Sequence, residues 1–381
     1  MGWEQDQTKR DEYFMRTALE LALQGRGWVS PNPVVGAVIV NESGRIIGQG
    51  YHERYGDLHA ERNALKNCKE PPAGATMYVT LEPCCHHGRQ PPCTDAILEA
   101  GISRVVVGSG DPNPLVSGKG IEILRAHGVE VTEGVLREDC DRANEIFFHY
   151  IRTGTPYVVM KYAMTLDGKI AAYTGSSKWI TGEEARRHVQ HLRGDLQGIM
   201  AGIGTVLADD PQLTCRLPGA RNPVRIICDS RLRIPLQSRL VTTAREVPTL
   251  IATTASEDMD AIRRLEDRGC RILYVGKAAG RYDGLTDSRA RGIDLKELMH
   301  RLGQEKIDSI LLEGGGTLNW SALQSGIVQR VMAYVSPKIF GGESARSPVE
   351  GRGVTTPQFA WRLKETAVSR LGEDLLIDGR L

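Results

Sequence analysis

Apolar positions along the chain recur with two different periods, and the period changes where Gly, Pro and Asn cluster. Between Asp11 and Gln24 they recur every three to four residues, which predicts an amphipathic helix. Strand-length apolar runs bounded by turn residues follow. The predicted strands of the first 150 residues are Val34–Val40, Ile46–Gly50, Met77–Leu81, Arg104–Gly108 and Val129–Thr132, and further helices are predicted at His59–Asn67, Thr94–Ala100 and Gly120–His127. Strands that alternate with helices predict a sheet covered on both faces.

A second α/β pattern begins after the segment Arg152–Pro156, where Gly and Pro interrupt the periodicity. Its predicted strands are Val158–Met164, Gly198–Ala201, Val224–Asp229, Thr249–Ala252, Arg271–Val275, Ser309–Leu312, Arg330–Val335 and Asp374–Ile377, and its predicted helices are Gly182–Leu192, Leu295–Leu302 and Thr317–Gln324. The stretch Lys277–Gly292, rich in Gly, Arg and Asp, predicts an exposed loop. A length of 381 residues also favours two domains, which we predict at residues 1–152 and 156–381.

Composition narrows the classes of function. The chain has 48 Lys and Arg against 47 Asp and Glu, a net charge of +1, and lacks the broad basic face that non-specific nucleic-acid binding needs. The same balance argues against a polybasic membrane anchor. The longest apolar runs are far shorter than a membrane span, and the opening MGWEQDQTKR has no apolar signal core. We therefore expect a cytoplasmic protein.

Three of the eight cysteines, Cys84, Cys85 and Cys93, fall within ten residues. In a cytosolic enzyme such a cluster indicates metal binding or catalysis more often than disulfides. His59 and Glu61 lie one predicted strand earlier. A zinc ion that activates water needs three protein ligands and one open position, and one His with two thiolates supplies them. Glu61 would then carry protons between water and the leaving group.

Two other interpretations of this cluster stay open at this point. The first is a structural zinc site, whose ligands would be Cys84, Cys93 and two of Cys85, His86, His87 and His59. The second is that His59 and Glu61 form an ordinary solvated pair. A structural site needs no adjacent Glu, and a strand–turn–helix placement is typical of zinc deaminases. Since residues two apart do not share a face in mid-helix, His59 and Glu61 must both reach the site from a first helical turn.

Two glycine-bearing segments in the second half, Ala201–Thr205 and Glu313–Thr317, are candidates for phosphate binding. The second lies between a predicted strand and a helix start, where free backbone amides can hold a phosphate. The chain has neither G-x-G-x-x-G nor a Walker lysine, so neither the usual dinucleotide fold nor a P-loop is supported. A tight turn explains a glycine triplet about equally well.

The motifs together resemble the bifunctional enzymes of riboflavin biosynthesis. The resemblance to the deaminase half is carried by Pro31-Asn32-Pro33, by Thr80–Pro83 with the loop Pro83–Cys93, and by Asp111–Pro114. This chain has Cys85 and Gln90 where that family usually has Ser and Thr. The resemblance to the reductase half is carried, in order, by Lys161, Thr165–Lys169, Ser177–Thr181, Asp209–Pro211, Asp229-Ser230 and Glu313–Gly316. It implies an N-terminal cytidine-deaminase-like α/β/α sandwich and a C-terminal dihydrofolate-reductase-like α/β domain.

The resemblance also implies roles for individual residues. It makes His59, Cys84 and Cys93 the ligands of one Zn²⁺ per chain and Glu61 the proton shuttle. Contacts to the deaminase substrate would come from Asn32, His86, Arg89 and Asn113. The site of NADPH would be lined by Ala163, Trp179, Thr205, Asp209, Ser230, Gly315, Gly316, Thr317, Leu318, Asn319, Trp320 and Ser321. Substrate contacts of the reductase would come from Lys161, Ser177, Thr181, Arg193, Leu213, Arg216 and Glu313.

The implied activity is zinc-dependent hydrolytic deamination of diaminohydroxyphosphoribosylaminopyrimidine, followed by NADPH-dependent reduction of the ribosyl group of the product to a ribityl chain. The implied partner is this small molecule, in a homo-oligomeric enzyme. Lys161 and Asp209 are candidates for the proton donor of the reduction. The five candidates for reading the extra phosphate of NADPH are Arg216, Arg221, Arg225, Arg231 and Arg233. Two rivals are a nucleic-acid base-editing zinc deaminase with an accessory C-terminal domain, and a non-catalytic interaction protein with a closed zinc site.

Overall fold

The computed structural model describes residues 6–88, 90–277 and 292–381. The chain divides into two compact units, Met1–Gly154 and Thr155–Leu381. Among the described residues, no helix combines the length and the apolar character needed to cross a bilayer. The predicted loop at Lys277–Gly292 falls almost entirely outside the described residues.

The first unit is built on a five-stranded sheet. Its strands are β1 (Gly36–Val40), β2 (Ile46–Tyr51), β3 (Thr76–Leu81), β4 (Arg104–Ser109) and β5 (Glu130–Glu133), and its helices are α1 (Gln7–Leu23), α2 (Ala60–Lys66), α3 (Cys93–Glu99), α4 (Lys119–Ala126), α5 (Arg137–Ala143) and α6 (Glu145–Thr153). The strand order is β2-β1-β3-β4-β5. Strand β1 runs antiparallel to both neighbours, while β3, β4 and β5 are mutually parallel.

Successive side chains of the central strands point to opposite faces of this sheet, and each face is covered by helices. On one face Val38, Tyr78 and Val106 pack against Phe14 and Met15 of α1. The opposite face carries the intervening residues with α2, α3 and α4, in a cluster that includes Ile39, Met77, Val105, Ala60, Ala64, Ile97 and Leu124. The predicted α/β/α sandwich is confirmed.

Close contact between β2 and α2 positions the start of that helix. A Cβ atom added to Gly50 would lie 2.5 Å from the backbone nitrogen of Ala64, so only glycine allows the strand and the helix to approach this closely. Asn63 also donates from Nδ2 to the carbonyl of Tyr51, at 2.8 Å. These contacts fix the first turn of α2, where two of the candidate site residues lie.

The second unit is built on a nine-stranded sheet. Its strands are β6 (Tyr157–Thr165), β7 (Gly198–Gly202), β8 (Val224–Cys228), β9 (Thr249–Thr253), β10 (Arg271–Tyr274), β11 (Ser309–Leu312), β12 (Arg330–Ser336), β13 (Lys364–Leu371) and β14 (Asp374–Arg380), and its helices are α7 (Glu183–Asp195), α8 (Ile203–Asp209), α9 (Arg239–Thr242), α10 (Met259–Glu266), α11 (Leu295–Gln304) and α12 (Gly316–Ser325), with a 3₁₀ turn at Pro357–Phe359. The strand order is β10-β9-β8-β7-β11-β6-β12-β14-β13.

The sheet of the second unit is parallel from β10 to β12, and only β14 and β13 run antiparallel to their neighbours. Helices α11 and α12 pack on one face through Leu298, Leu302 and Ala322, all fully buried. In a sheet of this kind the carboxyl ends of adjacent parallel strands lie along one edge, which is where ligands bind. The loops after β6, β7, β8 and β11 are therefore expected to form the ligand-binding edge of this sheet.

Several elements differ from the pattern predicted from sequence. Helix α1 begins at Gln7 rather than Asp11, because the side chain of Asp6 accepts a hydrogen bond from the backbone nitrogen of Lys9, at 3.4 Å. Helices α5, α6, α8, α9 and α10 and strand β13 were not predicted. In α5 only Cys140 is buried, and in β13 seven of eight residues are exposed, so neither element has a two-sided burial pattern.

Candidate active sites

The three predicted zinc ligands come together at one end of the first sheet. His59 is the residue that precedes α2, Cys84 follows β3, and Cys93 is the first residue of α3. Nδ1 of His59 lies 3.5 Å from Sγ of Cys84 and 3.4 Å from Sγ of Cys93. Zinc bonds of ~2.3 Å to sulfur and ~2.05 Å to nitrogen, at a tetrahedral angle, place S and N about 3.6 Å apart. The donor set and its spacing therefore fit a zinc ion.

The protonation of this cluster also suits a metal. Hydrogen bonds from Cys93 and His59 lower the pKa of the Cys84 thiol to about 4. The thiolate form is the form that binds metals. Within the described part of the chain, the potential metal-binding group comprises His59, Cys84 and Cys93. Cys85 instead directs its thiol to the carbonyl of Leu115, at 3.7 Å. A zinc ion held by three ligands keeps a fourth position for water, as hydrolysis requires, and among the described residues no fourth His, Cys, Asp or Glu joins this group.

Glu61 lies in the first turn of α2, next to the cluster. Only 3% of the surface of Glu61 is exposed. Glu61 and His59 are therefore not an ordinary solvated pair. Burial raises the pKa of its carboxyl group, and the neighbouring Cys84 thiolate raises it further. A buried carboxyl group beside a metal site is suited to accept a proton from one group and release it to another.

A cavity of about 240 Å³ opens beside these residues. Asn32, His52, His86, Asn113 and Phe147 are among the residues that line it. Three of the four predicted substrate contacts of the deaminase are therefore at the cavity, and the fourth, Arg89, lies outside the described residues. The Nδ1 atom of His86 is buried and has no hydrogen-bond partner among the described residues. It is a polar atom available to a ligand.

Two asparagines at this cavity are held in place by local hydrogen bonds. Nδ2 of Asn32 lies 3.2 Å from Nε2 of His52, whose Nδ1 lies 3.0 Å from the carbonyl of Leu58. Burial lowers the pKa of His52, which keeps the ring neutral, so Nδ1–H donates to the carbonyl and Nε2 accepts from Asn32. Asn113 accepts from the backbone nitrogen of Leu115 at 3.1 Å, so it is a turn asparagine that also faces the cavity.

Glu82 is a functional neighbour that the sequence did not single out. Glu82 is only 4% exposed, and its carboxylate accepts hydrogen bonds from backbone N–H groups of the loop after β4 and of the first turn of α4. The donors are Asp111 at 3.3 Å, Gly118 at 3.0 Å, Gly120 at 3.0 Å and Ile121 at 3.4 Å. These bonds hold the loop that carries Asn113. In the sequence, Glu82 stood out only as part of the motif Thr80–Pro83. Its role could not be predicted, because the amides that it binds lie far away in the chain.

The second unit contains a buried ion triad at the carboxyl edge of its sheet. Arg193 donates from Nε to Oε1 of Glu313 at 2.7 Å and from Nη2 to Oε2 at 3.0 Å, and Nζ of Lys161 lies 3.5 Å from Oε2. Burial opposes ionisation of Glu313, but the charges of Arg193 and Lys161 lower its pKa to about 2. Three of the predicted substrate-side residues therefore form one unit, in which Arg193 is already paired.

The two glycine-bearing segments lie side by side in the structure. Because β7 and β11 are adjacent, the loops that follow them meet. A Cβ atom on Gly315 would lie 3.7 Å from Oγ1 of Thr205, and one on Gly202 would lie 3.6 Å from a methyl carbon of Leu318. The turn at Glu313–Gly316 leads directly into α12, which contains the rest of the predicted cofactor segment up to Ser321.

The remaining predicted residues of the reductase lie around this edge or on exposed loops. Oγ of Ser177 donates to Asp209 at 3.3 Å. Trp179 is 59% exposed, with the guanidinium of Arg186 4.7 Å from its ring centre. The others are placed as follows: Ala163 in β6, Ser230 after β8, Thr181 and Leu213 buried, and Arg216 exposed.

One of the five candidate phosphate readers is excluded. Arg225 is fully buried, and its guanidinium donates to the hydroxyls of Thr249 and Thr243, each at 2.9 Å, and to backbone carbonyls that include Val247 at 2.8 Å. It is a structural residue with no access to a ligand. Arg216, Arg231 and Arg233 are exposed, and Arg221 is partly buried.

Comparisons with known proteins agree with both halves of this description. Residues 8–109 match the cytidine and deoxycytidylate deaminase zinc-binding region, and residues 156–377 match the RibD C-terminal domain. The riboflavin biosynthesis protein RibD of Actinobacillus pleuropneumoniae is 53% identical over 371 residues, which cover 97% of this chain and 95% of that protein. This chain belongs to the RibD family. It is a bifunctional deaminase and reductase of riboflavin biosynthesis.

Other members of the RibD family extend the likeness to solved structures. The RibD of Escherichia coli strain K12 is 40% identical over 381 residues, which cover 97% of this chain and 98% of that protein. The crystal structure of a diaminohydroxyphosphoribosylaminopyrimidine deaminase/5-amino-6-(5-phosphoribosylamino)uracil reductase from Thermotoga maritima has a TM-score of 0.84 at 38% identity, and the match covers 98% of this chain and 99% of that one. The comparisons do not favour the nucleic-acid base-editing alternative.

Proposed function

We propose that residues 1–152 form a zinc-dependent pyrimidine deaminase domain and that residues 156–381 form an NADPH-dependent reductase domain. The observation that carries the proposal is the cluster of His59, Cys84 and Cys93 beside a buried Glu61, at a cavity, in a member of the RibD family. One zinc ion per chain would bind these three ligands. When bound, zinc lowers the pKa of a coordinated water to about 7.

The substrate that we propose for the deaminase is diaminohydroxyphosphoribosylaminopyrimidine, the compound named for the Thermotoga maritima relative. Glu61 takes a proton from the attacking water and delivers it to the departing ammonia. Asn32 and Asn113, fixed by His52 and by the turn at Leu115, hold the pyrimidine. His86 and Arg89 bind the phosphoribosyl group, for which a guanidinium is well suited.

The proposed reductase substrate is the deaminated product, 5-amino-6-(5-phosphoribosylamino)uracil. NADPH supplies the hydride when bound. The glycine turn and the first two residues of α12 offer backbone amides for its phosphates, and the remaining cofactor contacts lie along the same sheet edge. Lys161, held by Glu313, presents its ammonium group toward the ribosyl group, and the exposed Arg216 takes the substrate phosphate.

We further propose that the enzyme is a homo-oligomer, and that its second copy covers the segment 351–370. This segment includes the edge strand β13, and almost all of its residues are exposed. Phe359 is 71% exposed, Val368 64% and Trp361 41%. An exposed edge strand with apolar side chains is a surface that pairs readily with another chain. Light scattering after size-exclusion chromatography tests this, since a monomeric mass at micromolar concentration would contradict it.

The decisive experiment follows ammonia release from the diaminopyrimidine ribotide by the zinc-loaded enzyme, with and without NADPH. The expected result is ammonia release without the cofactor, and NADPH consumption only after ammonia has been released. NADPH consumption before deamination would reverse the proposed order. Absence of ammonia release with zinc tightly bound would mean that this substrate is wrong.

A further inference from the structure

Residues 347–350 lie across the first turn of α12, and we call them the cover segment. The backbone nitrogen of Glu350 donates to the carbonyl of Gly316 at 3.1 Å. Nδ2 of Asn319 donates to the carbonyl of Pro348 at 2.8 Å. A Cβ atom on Gly316 would lie 2.6 Å from the carbonyl oxygen of Ser347 and 2.4 Å from Cγ of Glu350. The cover segment therefore packs directly on the backbone of the glycine turn.

The carboxylate of Glu350 lies at the N-terminus of α12. Its Oε2 accepts from the hydroxyl of Thr317, in the first turn, at 3.2 Å. Helix α12 has no acidic residue of its own in that turn and no side-chain cap at Gly315. A negative charge is favourable at this end of a helix because the terminal N–H groups carry partial positive charge. Glu350 supplies this charge from another part of the chain.

An unsatisfied acceptor in the first turn of α12 faces the glycine turn. Asn319 is fully buried, and its Oδ1 has no hydrogen-bond partner among the described residues. This oxygen faces the turn, since a Cβ atom on Gly314 would lie 3.0 Å from it. A buried polar atom without a partner is costly unless a ligand or water supplies the missing bond. Because an amide oxygen accepts hydrogen bonds, this orphaned oxygen marks the turn at the start of α12 as a binding site for a ligand that carries a donor, such as a hydroxyl group, independently of the helix end.

We propose that Glu350 is an affinity-setting residue of the cofactor site: its carboxylate occupies the N-terminus of α12 in the free enzyme and opposes the phosphates of NADPH, which compete with it for the same end of the helix. The inference rests on the proposed function of the reductase domain. Two like charges that seek the same helix end repel each other, so the wild-type carboxylate weakens cofactor binding.

The test measures binding rather than turnover, by titrating NADPH into the full chain and following tryptophan fluorescence, which Trp320 in α12 reports from close by. Glu350→Gln keeps the shape and the hydrogen-bonding capacity but removes the charge. We expect it to bind NADPH about 3- to 10-fold more tightly than the wild type. The matched control is Glu266→Gln, an exposed residue of α10, which should leave the dissociation constant unchanged.

Titrations with NADH and with reduced nicotinamide riboside show which phosphate of NADPH the carboxylate of Glu350 repels. A gain for NADPH and NADH alike places the carboxylate against the pyrophosphate, and a gain for NADPH alone places it against the extra phosphate; both results support the proposal. Reduced nicotinamide riboside, which has neither a phosphate nor a charge, should bind Glu350→Gln and the wild type equally. Unchanged or weaker binding of NADPH by Glu350→Gln overturns the inference while leaving the proposed function intact. If the wild type binds no NADPH, the proposed function fails first.

Discussion

The two sites of this enzyme are assembled from the sequence in opposite ways. The deaminase ligands fall between His59 and Cys93, on two helix starts and one strand end that adjoin each other. The reductase residues extend from Lys161 to Ser321 and meet because parallel strands end at one edge of the sheet. The first site is set by the few side chains that can bind zinc and lie close together in the chain, whereas the second is set by the topology that brings distant segments together.

The two sites also differ in how their buried charged groups are balanced. At the deaminase site the Cys84 thiol, whose pKa is lowered, and the buried carboxyl group of Glu61 lie beside the position that a cation would take. At the reductase site Glu313 and Arg193 neutralise each other directly. Loss of Glu61 should therefore sharply reduce the chemistry of the first site, whereas loss of Glu313 from the second should primarily reduce stability. The following predictions test this contrast, from the largest expected effect to the smallest.

The largest effect is expected for Glu61→Gln, which removes the proton carrier without changing the metal ligands. We expect the deaminase rate to fall by about 10²- to 10⁴-fold, the usual contribution of a positioned acid–base group. Zinc content, measured by atomic emission, should remain that of the wild type. Reductase activity, assayed on the deaminated substrate, should not change.

The control for this variant is Glu99→Gln, an exposed residue of α3 in the same unit. It should retain the full deaminase rate. A Glu61→Gln enzyme that still releases ammonia at the wild-type rate would remove Glu61 from the mechanism. Loss of zinc in that variant would show instead that Glu61 supports the metal site.

Glu313→Gln should cost about 3–5 kcal/mol of unfolding free energy, because it leaves Arg193 and Lys161 buried without their counter-charge. The pKa of Glu313 is about 2 in the folded protein, below its ordinary value of 4.5. The wild-type advantage is therefore complete above pH 4.5 and is lost as the pH falls toward 2. Urea unfolding at pH 7 and pH 3.5 should show an advantage about 1.4 kcal/mol smaller at the lower pH.

Glu266→Gln serves as the reference for this measurement, since its exposed carboxylate should contribute equally little at both values of pH. An advantage of Glu313 that is the same at pH 7 and pH 3.5 would mean that the carboxylate is not stabilised by the two cations.

We expect Arg225 to contribute to the stability of the second unit and Arg216 to contribute to substrate binding. Arg225→Met removes a fully buried guanidinium that donates to backbone carbonyls, and the carbonyl of Leu240 loses the donor that it has from this side chain. It should destabilise the protein by about 3 kcal/mol. Arg216→Ala changes an exposed residue and should alter the unfolding free energy by less than about 0.5 kcal/mol while raising KM for the phosphorylated substrate. Thermal unfolding and steady-state kinetics of both variants test this. A large loss of stability in Arg216→Ala, or an unchanged stability in Arg225→Met, would contradict the prediction.

The sequence predicted these two sites unequally well. His59, Cys84 and Cys93 could be grouped because zinc accepts few kinds of ligand and their spacing is short. The sequence placed Arg225 in a predicted strand and Arg216 outside one, but it did not show that Arg225 is buried, because burial depends on which strands become neighbours. Glu82 was missed for the same reason, since its partners are backbone amides of a loop about thirty residues away.

The fold was predicted best where packing imposes a period. The buried strands β3, β4, β7 and β11 are short apolar runs between turns, and their positions were predicted within one residue. Strand β13 was missed because neither of its faces is buried, and α5 was missed because its sequence is almost wholly polar. Such elements depend on neighbours, or on the proposed second copy, for their stability.

The smallest effect is expected from cutting the chain between the two units. Helix α6 ends at Thr153, Gly154 follows it with a positive φ of 67°, and β6 begins at Tyr157. Each unit has its own sheet and its own apolar clusters, so a protease site inserted between Gly154 and Thr155 should leave two folded pieces. We expect each piece to retain one activity within about twofold, as separate cores imply. Loss of either activity on cleavage, with zinc still bound, would show that one unit depends on the other for its activity.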